Sequence, residues 1–278
     1  AYGSSFRFIL MYTFEAVGKG AVIAWPGTTS EQAGGERAGK RVRFEEEDLQ
    51  AILDEATLVR MACRETVRFL PISYQAALAN TAIRGVCPEY GEMRNEVPSD
   101  GRWITAEDLL ERRRVVFLGA RLREKLFGTR PAVGETVQIS GLRFTVVGSM
   151  DRKFQDNNYF TSDDESAFIP YSAAGDIWDT RNASVIVFVP IAPRFEAQAM
   201  QQVRAAIAKR QRFSANDKRA ISMVGHEEFK PIIEGITIGL QALLLFIGAL
   251  TLGIGGVGVM NILLVSVDER IREIGLRR

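Results

Sequence analysis

The feature that most restricts this chain is an uncharged run at residues 236–267, ITIGLQALLLFIGALTLGIGGVGVMNILLVSV, 32 residues long. Its only polar side chains are Thr237, Gln241, Thr251, Asn261 and Ser266. As a straight helix it extends about 48 Å at 1.5 Å per residue. The hydrocarbon core of a bilayer is only ~30 Å thick. A buried helix of a soluble domain is rarely so long and so uniform. The run is therefore predicted to cross a membrane, with tilt or with an extension at one end.

Its flanks predict an orientation. Residues 268–278 read DERIREIGLRR and carry Arg270, Arg272, Arg277 and Arg278. On the other side, residues 225–235 offer Lys230 against Glu227, Glu228 and Glu234. Lys and Arg beside a span are retained on the cytoplasmic side, which puts the C-terminus in the cytoplasm and the residues before Ile236 outside. Within the run, Ala249 and Gly253 are four apart, as are Thr251 and Gly255. Small residues at that spacing let a second membrane helix approach closely, and Asn261 can hydrogen-bond across such a contact.

The remaining sequence is ordinary in composition. Thirty-five Lys and Arg balance 34 Asp and Glu, for a net charge of +1, so no electrostatic case for nucleic acid arises. Outside the apolar segments roughly 200 residues are left, enough for a real core. The two cysteines, Cys63 and Cys87, are too few for a disulfide scaffold. They can pair in an oxidising compartment, but spacing does not show it, and two unpaired thiols are the simpler expectation. The sequence lacks an initiator Met and stops within a charged helical pattern, which predicts a fragment of a longer protein.

Read in order, residues 6–24 are apolar but broken by Arg7, Glu15 and Lys19. They fit either the outer end of a first membrane helix or an amphipathic helix packed on the soluble part. Residues 25–43 have loop composition. A short acidic helix is predicted over 44–56, with Phe44, Leu49, Ile52 and Leu53 on one side. Two short strands are predicted within 57–74 and another over 81–86. Helices follow at 88–95 and 105–114, the second opening on a capping box of Thr105 and Asp108. VVFLG at 115–119 reads as a buried strand, and 120–127 as a basic helix stopped by Gly128. Ser140-Gly141 joins strands 136–139 and 142–147 as a hairpin. Strands at 166–170, 185–189 and 220–224 and a helix opening on Pro193 complete the pattern. Strands and helices interleave irregularly, so the soluble part is α+β.

Little catalytic chemistry is visible. The lone histidine, His226, reads as a solvated or hydrogen-bonding side chain. No GxxxxGK[ST] phosphate loop occurs, and the glycines of 253–258 lie inside the apolar run, where a dinucleotide fingerprint does not belong. Asp151, Asp156, Asp163, Asp164 and Glu165 form an acidic cluster without EF-hand spacing, read as a solvated loop. No cofactor and no metal site are predicted.

Several motifs carry a family resemblance. GIGGVGVMNILLVSVDERIREIGLRR contains Gly255, Gly256, Gly258, Met260, Asn261, Leu264, Val265, Ser266, Val267, Glu269, Arg270, Glu273, Ile274, Gly275 and Arg277. GVCPEYGEMRNEVPSDGRWITAEDL, VVFLGARLREKLFGTRPAVGETVQISGLRFTVVGSM and DDESAFIPYSAA precede it in order. Together they resemble the permeases of macrolide-exporter-type ABC transporters (MacB-like, FtsX-related), over roughly residues 26–278. The resemblance implies a periplasmic core domain at 26–229 with a porter-like α/β part and an inserted, mostly β part. It implies a transmembrane helix at 230–267 and a cytoplasmic coupling segment at 268–278, residues 1–25 being the end of a first membrane helix or an amphipathic helix. Cys87 departs from the family's usual Thr before Pro88-Glu89-Tyr90.

The implied function is that of a permease fragment of an ABC exporter in the bacterial inner membrane. Ile271, Ile274 and Val267 share one face of the coupling segment, and Glu269, Arg270, Arg272, Glu273, Ile274 and Gly275 are its candidate contacts to a cytoplasmic ABC ATPase. Further expected partners are a second permease copy, a periplasmic adaptor and membrane lipid, and ATP hydrolysis would reside in a separate domain or subunit. The alternative is a membrane-anchored FtsX-like signalling or structural protein whose outer domain regulates a cell-envelope hydrolase. A membrane-tethered enzyme is disfavoured by the lack of a catalytic constellation.

Overall fold

A computed structural model describes residues 20–225, apart from 34, 36 and 152–158, and a helix over 230–275 whose side chains are described for 235–267. The expected helix over residues 6–19, His226 and Asp156 lie outside the described residues. The protein divides into a globular unit, Phe8–Glu228, and a second unit holding Phe229–Arg278.

The elements of the globular unit are β1 (Val22–Pro26), α1 (Glu46–Glu55), β2 (Val59–Tyr74), β3 (Ala77–Val86), α2 (Tyr90–Arg94), β4 (Pro98–Gly101), α3 (Ala106–Leu110), β5 (Val115–Leu118), α4 (Ala120–Phe127), β6 (Thr136–Ile139), β7 (Leu142–Met150), β8 (Ala167–Pro170), α5 (Tyr171–Ala174), β9 (Val185–Pro190), α6 (Glu196–Gln211) and β10 (Ile221–Val224). Short 3-10 turns at Asp163–Glu165 and Pro193–Phe195 precede β8 and α6. The second unit is one helix, α7 (Lys230–Gly275).

Among the described residues, the strands run in the order β10-β1-β9-β2-β3-β8-β5-β7-β4, with β6 bridging β2 and β7. Two parts follow from this order. Strands β10, β1, β9 and the first half of β2 form an antiparallel sheet. Residues alternate between its faces. Val22, Ala24, Ile186 and Phe188 meet Ile52 of α1 and Val203 and Ile207 of α6 on one face. Ile23, Val185 and Val187 turn to the other, where Cys63, Tyr90 and Phe168 lie. Both faces are covered, so these strands read as continuous apolar runs. The second half of β2 closes a ring with β3, β8, β5, β7 and β6. Ile72, Ile83, Val116, Phe144 and Ile169 fill it, with Leu122 and Leu126 of α4. This is the α/β part with a mostly β second part that the resemblance implied.

Several local expectations hold. Thr105 caps α3 through Asp108, and α4 ends at Gly128. Ser140 and Gly141 take φ of 49° and 86°, the left-handed pair that a two-residue hairpin turn requires. Others are corrected. Residues 22–24, assigned to the end of a helix, are strand β1, held between β10 and β9. The two strands expected within 57–74 are one, because β2 pairs with β9 up to Glu65 and with β3 from Thr66 onward. It exchanges partners without a break. Strand β4 falls between the two predicted helices, where no element was predicted. Leu53 is half exposed instead of facing the core. Cys63 and Cys87 are joined by a disulfide, with Cα atoms 6.0 Å apart, contrary to the expectation of two thiols.

Candidate functional site

Helix α7 forms because its 46 residues are dominated by apolar side chains and lack an interior proline after Pro231. Residues Gly235–Val267 have a mean hydropathy of 2.2 and are long and apolar enough to cross a membrane. None of that stretch is buried within this protein. Thr251 donates its hydroxyl to the Ile247 carbonyl at 2.8 Å, which satisfies that polar group inside the helix itself.

A continuous helix turns about 100° per residue, and this fixes how the candidate packing residues relate. Ala249 and Gly253 lie within roughly 40° of each other, and a shallow concave strip runs past both with Phe246, Leu250, Ile254 and Val257. Gly255 lies roughly 160° away from Gly253, and Asn261 roughly 80° away. The four do not share one face. Glu269, Arg270, Arg272, Glu273, Ile274 and Gly275 lie in the helical backbone that continues from the apolar stretch, and their side chains are outside the described residues.

The globular unit holds a second constellation, at the fork where β2 leaves β9 for β3. Glu65 closes the β9-paired half of β2, Arg84 stands on β3, Arg94 on α2 and Asp163 on the 3-10 turn before β8. All four are buried. Arg84 Nε donates to Glu65 Oε1 at 2.5 Å, and its Nη1 donates to Asp163. Arg94 Nη2 donates to Asp163 Oδ2 at 3.2 Å. The Tyr159 hydroxyl donates to Glu65 and lies 2.7 Å from that of Tyr90. Among the described residues, Arg84 Nη2 has no hydrogen-bond acceptor. Instead the guanidinium carbon lies 4.5 Å from the Tyr159 ring centroid and 5.4 Å from that of Phe168, a cation–π environment.

Two acids and two cations make the cluster formally neutral. Burial opposes the charge on Arg84, but Glu65, Tyr159, Tyr90 and Asp163 outweigh it and hold its pKa well above the ordinary arginine value. Burial likewise opposes the Arg94 charge, and Asp163 outweighs it. Burial pushes the hydroxyls of Tyr159 and Tyr90 up, so both stay protonated. The expected solvated acidic loop is thus corrected at Asp163 and Asp164, both buried. Gly119 makes room for them, since a Cβ there would meet the carbonyl oxygens of Asp163 and Asp164 at 2.3 and 2.4 Å. The cluster ties β2, β3, α2 and the turn before β8 into one rigid joint. Its four charged side chains are buried at the junction of the two parts of the unit.

Beside this joint a groove runs between α1 and α3. Arg64 of β2 lies on its floor over the Tyr171 ring, 4.5 Å from the centroid. Burial holds the Arg64 pKa below its ordinary value. Among the described residues, no group of three or more His, Cys, Asp or Glu is arranged to hold a metal ion.

Comparison with known proteins gives a consistent result. Residues 4–210 match the family model described as the MacB-like periplasmic core domain. The macrolide export ATP-binding/permease protein MacB of Chlorobaculum tepidum is 30% identical over 285 residues, covering 100% of this sequence and 42% of that protein. The protein of the same name from Bdellovibrio bacteriovorus is 25% identical, covering 100% and 43%. The sequence therefore spans less than half the length of these relatives. The crystal structure of the periplasmic region of MacB from Actinobacillus actinomycetemcomitans matches with a TM-score of 0.59 at 14% identity, covering 80% of this protein and 95% of that one. The extracellular domain of the noncanonic ABC-type transporter YknZ from Gram-positive bacteria matches with a TM-score of 0.59 at 16% identity, covering 73% and 99%. At these identities the structural likeness is one of fold.

Proposed function

This protein belongs to the family of MacB-like periplasmic core domains, and on that premise we propose that it is part of the permease of an ABC exporter. The globular unit works outside the cytoplasm, α7 crosses the bacterial inner membrane, and residues 268–278 meet a cytoplasmic ABC ATPase. Movement of the ATPase is passed along α7 to the outer unit, which drives export with a second permease copy and a periplasmic adaptor. ATP hydrolysis belongs to a separate domain or subunit.

The observation that carries this reading is the continuity of α7. Its 46 residues run unbroken from before the apolar stretch into the charged segment that holds Glu269, Arg270, Arg272 and Glu273. At 1.5 Å per residue such a helix is about 69 Å long, more than twice the ~30 Å hydrocarbon core. An unbroken helix carries a displacement from one end to the other without a hinge to absorb it. A charged amphipathic extension is also the kind of segment that docks in a groove of a soluble partner.

The test is charge reversal at Glu273 in the protein paired with its ATPase. Glu273→Arg adds positive charge on the side that the proposal makes cytoplasmic, so insertion is retained. Copurification of the ATPase and export are both expected to fall. Normal copurification together with normal export would rule out a coupling role for this segment.

A further inference from the structure

The groove on the globular unit has a volume of about 830 Å³, within the range of small-ligand sites. At its floor the Arg64 side chain is only 11% exposed, yet its ion-pair partner Glu46 is 69% exposed. The asymmetry matters. The cation is fixed by burial and by the Tyr171 ring beneath it. The carboxylate upon it comes from a surface side chain in the first turn of α1, and such a side chain rotates away at little cost. A desolvated guanidinium needs an anion in place. Glu46 supplies one from within the protein, and so marks where a carboxylate sits. Leu49 of α1 and Leu109 of α3 add apolar wall from two different elements; Arg112 beside Leu109 is paired with Asp176, and Glu45 and Glu47 also line the groove.

We propose that this groove binds an extended peptide segment through a carboxylate, which replaces Glu46 on Arg64. Leu49 and Leu109 receive apolar residues next to the acid, and Glu46 acts as a built-in competitor. The carboxylate comes either from an acidic residue or from the free C-terminus of the peptide, since a guanidinium holds both by the same paired hydrogen bonds. The inference concerns the globular unit alone and does not depend on the exporter reading.

The test uses the full-length protein in detergent and three tripeptides capped at the N-terminus by a dye, with binding followed by fluorescence polarisation. The first is leucine–glutamate–leucine amide. The second is leucine–glutamine–leucine with a free C-terminal carboxylate, and the third is its neutral amide. At least one of the acidic peptides is expected to bind about tenfold or more tightly than the neutral one, and the tighter of the two identifies the source of the carboxylate. Glu46→Gln removes the competitor and is expected to tighten binding up to about fivefold. Arg64→Met keeps most of the stem over Tyr171 and is expected to abolish the preference for acid. Should Arg64→Met lower the unfolding midpoint, Glu46→Gln decides, because its side chain is on the surface. Equal binding of all three peptides, an unchanged affinity in Glu46→Gln, or an acid preference that survives in a folded Arg64→Met would each overturn the proposal.

Discussion

Glu65 accepts a hydrogen bond from Arg84 Nε at 2.5 Å at the point where β2 exchanges β9 for β3. The pair therefore sits where, among the described residues, a single strand belongs to both parts of the globular unit. A buried pair contributes little net stability compared with apolar residues of the same volume, but removing one partner leaves the other charged and dry. Arg84→Met leaves Glu65 without its guanidinium and takes one of its cations from Asp163. The substitution is expected to lower unfolding free energy by roughly 3–5 kcal/mol, read as a shift in the urea midpoint. A loss below about 1 kcal/mol, the scale of a surface pair, would show that the joint is not closed to water.

Two residues before Glu65, Cys63 reaches across the same fork to Cys87, 24 residues away in sequence. A crosslink closing a loop of that length stabilises by about 2–4 kcal/mol, mainly by restricting the unfolded state. The oxidised protein, unfolded in denaturant, should show no thiol to a colorimetric reagent and two after reduction. The double variant Cys63→Ala/Cys87→Ala should unfold at lower denaturant by that amount. Two reactive thiols in the protein purified without reductant would contradict the pairing.

Acid sensitivity should come from three aspartates: Asp179, whose pKa Arg181 holds down at about 2, Asp108 and Asp217. Burial opposes the Asp108 charge, but Arg102, in a two-point contact at 2.6 and 3.0 Å, and Thr105 hold its pKa below the ordinary aspartate value. Burial also opposes the charge of Asp217, which Ser30 outweighs by donating from its N–H at 2.6 Å and its hydroxyl at 2.8 Å. A folded pKa below the unfolded one means stability that is fully present above the unfolded value of about 3.9. It is lost as pH falls through the folded values. The urea midpoint should accordingly drop below about pH 4, and Asp108→Asn should flatten part of that drop. An unchanged slope in Asp108→Asn would remove Asp108 from the account.

What the sequence made legible was local. Ser140-Gly141 announces its hairpin because few residue pairs accept two positive φ values. Helix α4 is bracketed by glycines, and α3 is capped within three residues of its start. What was missed depended on partners far along the sequence. Strand β1 is apolar on both faces, so it merged with the apolar residues before it. The length of β2 reflects a change of neighbour, which leaves no mark on composition. Asp163 looked solvated because Arg84 and Arg94 stand 79 and 69 residues away. Arg64 showed nothing of its groove for the same reason. Helix α7 was legible outright, since a bilayer demands length and uniformity of one segment at a time, whereas the faces of Ala249, Gly253, Gly255 and Asn261 needed the helical turn counted residue by residue.

The central claim is that the globular unit and residues 268–278 lie on opposite sides of a membrane. Ser222, exposed on β10, and Arg277 are the two positions that test it. Because Cys63 and Cys87 are joined, a single added cysteine is the one free thiol within this sequence. In intact cells, Ser222→Cys should react with a membrane-impermeant maleimide once the outer envelope is made permeable. Arg277→Cys should react only after the inner membrane is opened. Labelling of Arg277→Cys but not Ser222→Cys in intact cells, or equal labelling of both, would contradict the account.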